Sequence, residues 1–212
     1  MTKKQRAAKL IELLKAEYPE AQCALVYEKP HELLISTRLS AQCTDKRVNM
    51  VTPALYERFP TVEAFAQAEV SEIEKYIQSC GLYRTKAKDI SLMCRELCEH
   101  FGGKVPDTIE ELTTLPGVGR KTANLIVGDL YGKPALVCDT HVIRLTNLIG
   151  LTDTKDAAKV EKELAEVVPP AEGLNMCHRL VRHGRNVCIA RRPQCAQCCL
   201  KEICKSAEKK KS

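Results

Sequence analysis

The chain has 212 residues, and its 33 Lys and Arg against 27 Asp and Glu give a formal net charge of +6. This length fits one large domain or two small ones with ample chain to bury a core. No apolar run approaches the roughly 20 residues of a membrane span, and no hydrophobic signal core follows the basic N-terminus. We therefore expect a cytoplasmic protein with no membrane partner. The mild basic excess favours a polyanionic partner only weakly.

Helical periodicity runs through nearly the whole chain. After a first helix that Pro19 ends, the pattern predicts helices at about 32–39, 45–59, 62–67, 72–78, 85–101, 107–113, 120–131, 139–149, 155–168 and 175–187. Their expected N-caps are Asp45, Ser71, Asp107 and Asp139. Pro53 should kink or split the helix around it. Without a convincing strand pattern, the predicted fold class is all-α, with about ten or eleven helices.

The segment Leu115-Pro-Gly-Val-Gly joins two of these helices. Gly117 and Gly119 allow positive φ angles and leave backbone N–H groups uncovered. Between two helices, such groups bind a phosphate oxygen without reading any base. Leu115 and Val118 are spaced to pin the two helices together. The alternatives are a purely structural corner and a nucleotide-phosphate loop, although no preceding strand or Gly-Lys-Ser/Thr ending supports the latter.

Lys121 lies beside Arg120 in the first turn of the helix after this hairpin. The positive end of the helix dipole disfavours a cation there and so favours the neutral, nucleophilic amine. From position alone, a phosphate-contacting or solvated lysine is an equally good interpretation. Asp139 is predicted to cap a later helix, which is usually a structural role. A carboxylate and an amine at two helix starts can also divide proton transfer and nucleophilic attack between them.

Twelve cysteines in an expected reducing compartment do not indicate six disulfides. Eight are scattered, and most of these fit small buried hydrophobic residues. The other four have the spacing C-x6-C-x2-C-x5-C, and they are Cys188, Cys195, Cys198 and Cys204. Four such thiolates can surround one metal centre, and by chemistry alone zinc and an iron–sulfur cluster stay equally open.

The string from Leu115 to Ala123, followed by Asp139-Thr-His141, resembles the helix-hairpin-helix DNA glycosylases and, more closely, the endonuclease III family. The segment Leu39-Ser-Ala-Gln-Cys-Thr-Asp45 resembles that family's Leu-Ser-Ala-Gln-x-Thr-Asp. The C-x6-C-x2-C-x5-C spacing matches its [4Fe–4S] loop, although Cys199 departs from the pattern by doubling the third ligand. The resemblance therefore favours an iron–sulfur cluster over zinc.

This resemblance implies a bifunctional DNA glycosylase and AP lyase of base excision repair. Lys121 matches the lysine that attacks the sugar C1′ of a flipped-out damaged nucleotide and forms a Schiff base, and Asp139 matches the family aspartate. Oxidised pyrimidines are released, and the strand is then cleaved 3′ to the abasic site by β-elimination. The [4Fe–4S] cluster is expected to serve structure and DNA positioning, because hydrolysis and elimination need no electrons.

The resemblance also implies DNA contacts outside the hairpin. Gln42 matches a glutamine that fills the gap left by the extruded nucleotide, and Leu82 resembles a second wedge. Without the resemblance, an ordinary helix-end Gln and a core Leu would be the preferred interpretations. His141 fits a structural or DNA-backbone role. The remaining expected contacts lie in the hairpin and the cluster loop, and they are Gly117, Val118, Gly119, Arg120, Thr122, Arg191 and Arg192.

The implied architecture is a two-lobed helix-hairpin-helix DNA glycosylase fold with a C-terminal [4Fe–4S] cluster loop. Residues 23–132 would form a six-helix barrel with the helix-hairpin-helix at about 108–131. Residues 1–22 and 133–212 would form the cluster domain, with its loop at 188–204. We expect a monomer whose partner is double-stranded DNA containing damaged pyrimidines or abasic sites.

Three rival functions differ in what they predict. An adenine mismatch glycosylase shares the cluster but usually lacks the lysine found here as Lys121. A non-catalytic DNA-binding module predicts tight binding of duplex without incision. An iron–sulfur electron carrier predicts turnover with a redox partner and indifference to DNA.

Overall fold

In the computed structural model, residues 1–20 and 22–208 are described, and every regular element in them is a helix. The all-α class predicted from the sequence is therefore confirmed. The described chain divides into two compact units. We call Cys23–Tyr131 the hairpin unit, and Met1–Gln22 with Gly132–Ser212 the cysteine-loop unit.

The hairpin unit contains seven α-helices in its described residues. They are α2 (Pro30–Leu39), α3 (Asp45–Arg58), α4 (Val62–Gln67), α5 (Val70–Ile77), α6 (Tyr83–Phe101), α7 (Ile109–Leu112) and α8 (Arg120–Tyr131). A 3-10 turn, Gln78–Cys80, precedes α6. The long helix α6 packs against α2, α4 and α5. Its apolar side chains at Ile90, Met93 and Leu97 are fully buried, so α6 forms the centre of this core.

The cysteine-loop unit combines both ends of the described chain. Its α-helices are α1 (Lys3–Glu17), α9 (Thr140–Ile149), α10 (Ala157–Ala165), α11 (Gly173–Asn186) and α12 (Lys205–Glu208). Helix α11 packs against α1 and α9, and α12 packs against α9. Arg6 of α1 donates to the Ile203 carbonyl, and Arg179 Nε donates to Tyr18 O at 2.9 Å. These bonds join the N-terminal helix to the C-terminal segment.

Several predicted helix starts are wrong by one or two residues. Thr44 caps α3 by accepting from Arg47 N at 3.2 Å, so Asp45 is the first helical residue and not the cap. Thr108, not Asp107, caps α7, because its backbone is extended and its hydroxyl accepts from Glu111 N at 3.3 Å. The N-cap residue has an extended backbone and a side chain that accepts a backbone hydrogen bond. Where two adjacent polar residues could both do this, the sequence alone does not show which one is the cap.

Two further expectations about helix boundaries also need correction. Helix α5 begins at Val70, so Ser71 lies inside it and Glu69 stands at the N-cap. Helix α3 continues through Pro53, so the alternative in which this proline splits the helix is wrong. The ends of α9 are as predicted, with Asp139 as N-cap and Gly150 as C-cap. No helix in the described residues is long and apolar enough to cross a membrane.

Candidate functional site

The glycine turn of the hairpin unit joins α7 to α8. Gly117 has φ +74°, in the left-handed region that favours glycine. Leu115 and Val118 are buried, so the turn is anchored by apolar side chains as the sequence predicts. The first hydrogen bond of α8 runs from Ala123 N to Gly119 O at 3.0 Å. The N–H groups that precede Ala123 in α8 have no intrahelical acceptor and are suited to an anion.

An ion pair lies directly behind this turn. Arg38 on α2 donates from Nε and Nη2 to Asp89 Oδ2 on α6, at 2.8 and 2.6 Å. A Cβ added to Gly117 would lie 2.7 Å from Arg38 Nε and 3.1 Å from Asp89 Cβ. Gly117 is therefore required twice, by its backbone angle and by the close approach of Arg38. This pair was not identified from the sequence, because its partners are 51 residues apart.

Lys121 is the second residue of α8 and is exposed. Arg120 before it is also exposed, and Thr122 after it is half-buried. The next residue, Ala123, is fully buried and fixes that face of the helix against the core. The lysine amine is thus presented to solvent from the first turn of α8.

Asp139 belongs to the cysteine-loop unit, whereas Lys121 belongs to the hairpin unit. Its Oδ1 accepts from Val142 N at 2.8 Å, which is the N-cap bond of α9. Asp139 is half-buried. A carboxylate has a second oxygen beyond the one used in this cap, so the structural role leaves acceptor capacity for chemistry.

The two predicted wedges share an unusual backbone conformation. Gln42 has φ 54° and Leu82 has φ 48°, and they are the two non-glycine residues with positive φ in the described chain. Both are exposed, and the Leu82 side chain is 59% exposed. The interpretation of Leu82 as a core residue is therefore excluded. Strained, exposed residues of this kind concentrate at functional sites.

The four spaced cysteines are all half-buried. Burial raises the pKa of the Cys198 thiol, a backbone hydrogen bond with Leu200 lowers it, and the charges of Cys188, Cys204 and Cys195 raise it. The pKa of the Cys199 thiol is raised to about 11, mainly by burial and then by the charges of Cys198 and Glu17.

The donor set of the four spaced cysteines is chemically suited to a metal centre. Four half-buried thiols match the number of thiolate ligands that either a structural zinc ion or a four-iron cluster takes. The residues present therefore fit an iron–sulfur cluster.

Two side chains around these cysteines were missed by the sequence analysis. Arg144 Nη1 lies 3.6 Å from Cys188 Sγ, and His183 Nε2 lies 3.3 Å from Cys198 Sγ. His183 is almost fully buried, and its other ring nitrogen lies 3.1 Å from Tyr18 Oη. Hydrogen-bond donors near thiolates orient metal ligands. The bare positions of an Arg and a His in helices gave no signal of this role.

The other predicted DNA contacts of the cysteine-loop unit differ in their surroundings. Arg191 and Arg192 are exposed in the loop between Cys188 and Cys195. The half-buried His141 ring lies against α11, where a Cβ added to Gly184 would approach His141 Nδ1 to 2.7 Å. Close packing of this ring supports a structural contribution from His141.

Comparison with known proteins agrees with this geometry. The model of the HhH-GPD superfamily base excision DNA repair proteins matches residues 35–170. Endonuclease III of Synechocystis sp. is 47% identical over 208 residues, covering 98% of this chain and 95% of that protein. Endonuclease III of Bacillus subtilis is 42% identical over 194 residues, covering 91% and 89%.

A solved structure of a trapped endonuclease III–DNA covalent intermediate matches the whole fold. Its TM-score is 0.94 at 40% sequence identity, with 100% of both chains covered. The agreement thus extends over both units and is not confined to the hairpin. The chain belongs to the endonuclease III family of the HhH-GPD superfamily.

Proposed function

We propose that this protein is a bifunctional DNA glycosylase and AP lyase of base excision repair. Its proposed substrate is double-stranded DNA containing oxidised pyrimidines or abasic sites. The observation that carries this proposal is the full-length match, at TM-score 0.94, to an endonuclease III trapped covalently on DNA. The exposed Lys121 on the first turn of α8 supplies an amine for such a bond.

Lys121 is proposed as the nucleophile. Its nitrogen lone pair forms a bond to C1′ while the glycosidic bond breaks, and the base leaves with a proton. Opening of the sugar ring gives an imine that acidifies the C2′ hydrogen. Loss of that proton drives the electrons toward C3′ and expels the 3′ phosphate. Water then hydrolyses the imine and restores the lysine amine.

Asp139 is proposed to accept and donate protons during these reaction steps. Its carboxylate can accept a proton from the Lys121 nitrogen, so that the neutral amine carries the lone pair that attacks, and can return one during ring opening. The bond from Val142 N holds one carboxylate oxygen in place at 2.8 Å. A single side chain would thereby fix the start of α9 and serve as a base.

DNA binding is proposed to depend on several separate contacts. The turn at Gly117, Val118 and Gly119, with Arg120 and Thr122, would bind phosphate through backbone N–H groups. Gln42 and Leu82 would fill the space that the flipped nucleotide vacates, because both project from strained, exposed loops. The remaining phosphate contacts would be made by Arg191, Arg192 and His141.

Endonuclease III proteins carry an iron–sulfur cluster. We assign a [4Fe–4S] cluster to Cys188, Cys195, Cys198 and Cys204, since their C-x6-C-x2-C-x5-C spacing supplies four half-buried thiols within one short segment. When bound, the cluster would brace the loop that presents Arg191. The cysteine-loop unit would then be the cluster domain, and the hairpin unit the barrel domain.

Two expectations about the working protein remain predictions. A single chain carries every residue assigned above, which supports action as a monomer. A DNA substrate supports a location in the cytoplasm at the nucleoid.

Borohydride trapping tests the proposed activity. The protein is incubated with duplex containing an oxidised pyrimidine, and borohydride is added to reduce any imine. We expect a covalent adduct with the wild type and with Lys75→Gln, a matched change at an exposed lysine of α5. Lys121→Gln should give neither adduct nor incision. Incision that persists in Lys121→Gln would contradict the proposal, as would binding of DNA by the wild type without incision.

A further inference from the structure

Lys86 is a lysine in an unusual place. It lies in the first turns of α6, and its side chain is fully buried. Lysine is rarely buried unless its ammonium has partners, because removing a charge from water is costly. The partners here are backbone carbonyls. Lys86 Nζ donates to Leu39 O at 2.7 Å and to Cys80 O at 2.8 Å.

These two carbonyls lie directly before the two wedge loops, residues 40–44 with Gln42 and residues 81–82 with Leu82. Leu39 is the last residue of α2, three positions before Gln42. Cys80 is the last residue of the 3-10 turn, two positions before Leu82. Carbonyls at helix ends lack intrahelical donors, and a cation is favoured there. One ammonium therefore satisfies the ends of two separate segments and ties them together.

The thiols of the same two loops also affect each other. Burial is the largest cause that raises the pKa of the Cys80 thiol to about 11, and Cys43, next to Gln42, is the second. This effect agrees with the geometric link, in which one ammonium bonds the carbonyls of Leu39 and Cys80.

The backbone angles explain why such support is needed. Gln42 and Leu82 both adopt left-handed angles that side chains other than glycine rarely take. Strain of this kind persists only where surrounding bonds determine the loop conformation. The bonds from Lys86 fix the residue that precedes each loop, so both wedges depend on one side chain.

We infer that Lys86 is a positioning residue that sets the two wedge loops relative to each other, so that Gln42 and Leu82 enter the duplex together. This inference rests on the wedge roles in the proposed function. Lys86 itself touches no DNA, because its ammonium is enclosed in the core of the hairpin unit. Its removal should impair insertion into the base stack while leaving the Lys121 amine in place.

Fluorescence of 2-aminopurine reports insertion directly. The base analogue is placed opposite a tetrahydrofuran abasic site, which no lyase can cleave, and its emission rises when it is unstacked. Wild type at saturation should give a large rise. Lys86→Met should bind roughly 10-fold more weakly and, at saturation confirmed by anisotropy, give less than about half of that rise. Lys88→Met, the same change at an exposed position of α6, should behave as wild type.

Circular dichroism first establishes that each variant is folded at the assay temperature. If Lys86→Met does not fold, Lys86→Gln decides by the same measurement, since an amide can still donate to one carbonyl. We expect a partial loss of the fluorescence rise for Lys86→Gln. A folded, saturated Lys86 variant with the full wild-type rise would overturn the inference.

The Lys121→Gln protein separates this inference from the proposed chemistry. It should show the full fluorescence rise although it forms no adduct. If the wild type unstacks the analogue without incising and the folded Lys86 variants do not unstack it, the proposed reaction is contradicted and the role of Lys86 is supported. A wild type that binds without unstacking the analogue would overturn the role of Lys86.

Discussion

Arg38 occupies the space that a side chain at Gly117 would need. An added Cβ would lie 2.7 Å from Arg38 Nε and 2.9 Å from its Cδ, and φ at Gly117 is +74°. Arg38 cannot easily move, because Asp89 accepts two bonds from it. The turn thus packs against the Arg38–Asp89 ion pair between α2 and α6, which explains how a loop with two glycines keeps a fixed conformation.

Gly117→Ala should therefore destabilise the fold by about 1–3 kcal/mol and weaken DNA binding. Gly119→Ala is the matched control, since a Cβ there meets nothing within 4 Å. Its free energy of unfolding should change by less than about 0.5 kcal/mol. Urea unfolding measures the stability of both variants. Equal losses of unfolding free energy would contradict the packing of Gly117 against the Arg38–Asp89 pair.

Asp139 combines a cap with a proposed proton transfer, and two variants separate them. Asn caps helices as well as Asp, so Asp139→Asn should keep the melting temperature and lower the single-turnover rate by roughly 100-fold or more. Asp139→Ala should show the same loss of rate and lose about 1 kcal/mol of stability as well. Full activity in Asp139→Asn would show that the residue is only a cap.

The spacing of the cysteines and the surroundings of Cys198 predict which of two adjacent cysteines holds the cluster. Cys198→Ser should lose iron and the visible charge-transfer absorbance, whereas Cys199→Ser should retain both. The reason is that Cys198 fits the C-x6-C-x2-C-x5-C spacing and that its Sγ lies 3.3 Å from His183 Nε2, a ring nitrogen that can orient a thiolate ligand. Iron content per chain decides, and the opposite pattern would reassign the third ligand to Cys199.

Stability should fall at alkaline pH, in part through Cys94. This thiol of α6 is fully buried, and burial raises its pKa above the usual thiol value. Because the folded pKa is the higher one, its stabilisation is complete below about pH 8.5 and is lost as the pH rises toward the folded pKa. Cys94→Ala should make the loss less steep, by up to about 1.4 kcal/mol per pH unit.

Urea unfolding between pH 8 and pH 10 measures that slope. Cys98→Ala is the control, because Cys98 lies one turn further along α6 and is only half-buried. Its effect on the slope should be smaller. If Cys94→Ala and wild type lose stability in parallel, the buried thiol does not contribute.

The sequence predicted the helices well where periodicity or glycine marked their ends. Residues 62–67 and 120–131 were predicted at their observed bounds, and Gly150 was predicted as the end of α9. The starts of α3 and α7 were displaced because Thr44 and Thr108 compete with neighbouring Asp residues for the cap. The helix α12 was not predicted, since four residues carry almost no periodic signal.

The motif residues could be identified from the sequence, but the contacts that hold them in place could not be predicted from it. The pattern predicted a helix at 85–101 without showing that Lys86 is buried, since a lysine counts as polar surface in any periodicity. Its partners are backbone carbonyls of distant segments, which no side-chain pattern encodes. The ion pair of Arg38 with Asp89 was hidden for the same reason, because the two residues are brought together only by the packing of α2 on α6.

Locating the covalent bond to DNA tests the assignment of Lys121 as the nucleophile. Wild-type protein is trapped with borohydride on duplex containing an abasic site, digested, and analysed by mass spectrometry for the peptide that carries the sugar remnant. We expect the remnant to lie on Lys121. A remnant on any other residue, or incision without a trapped adduct, would contradict it.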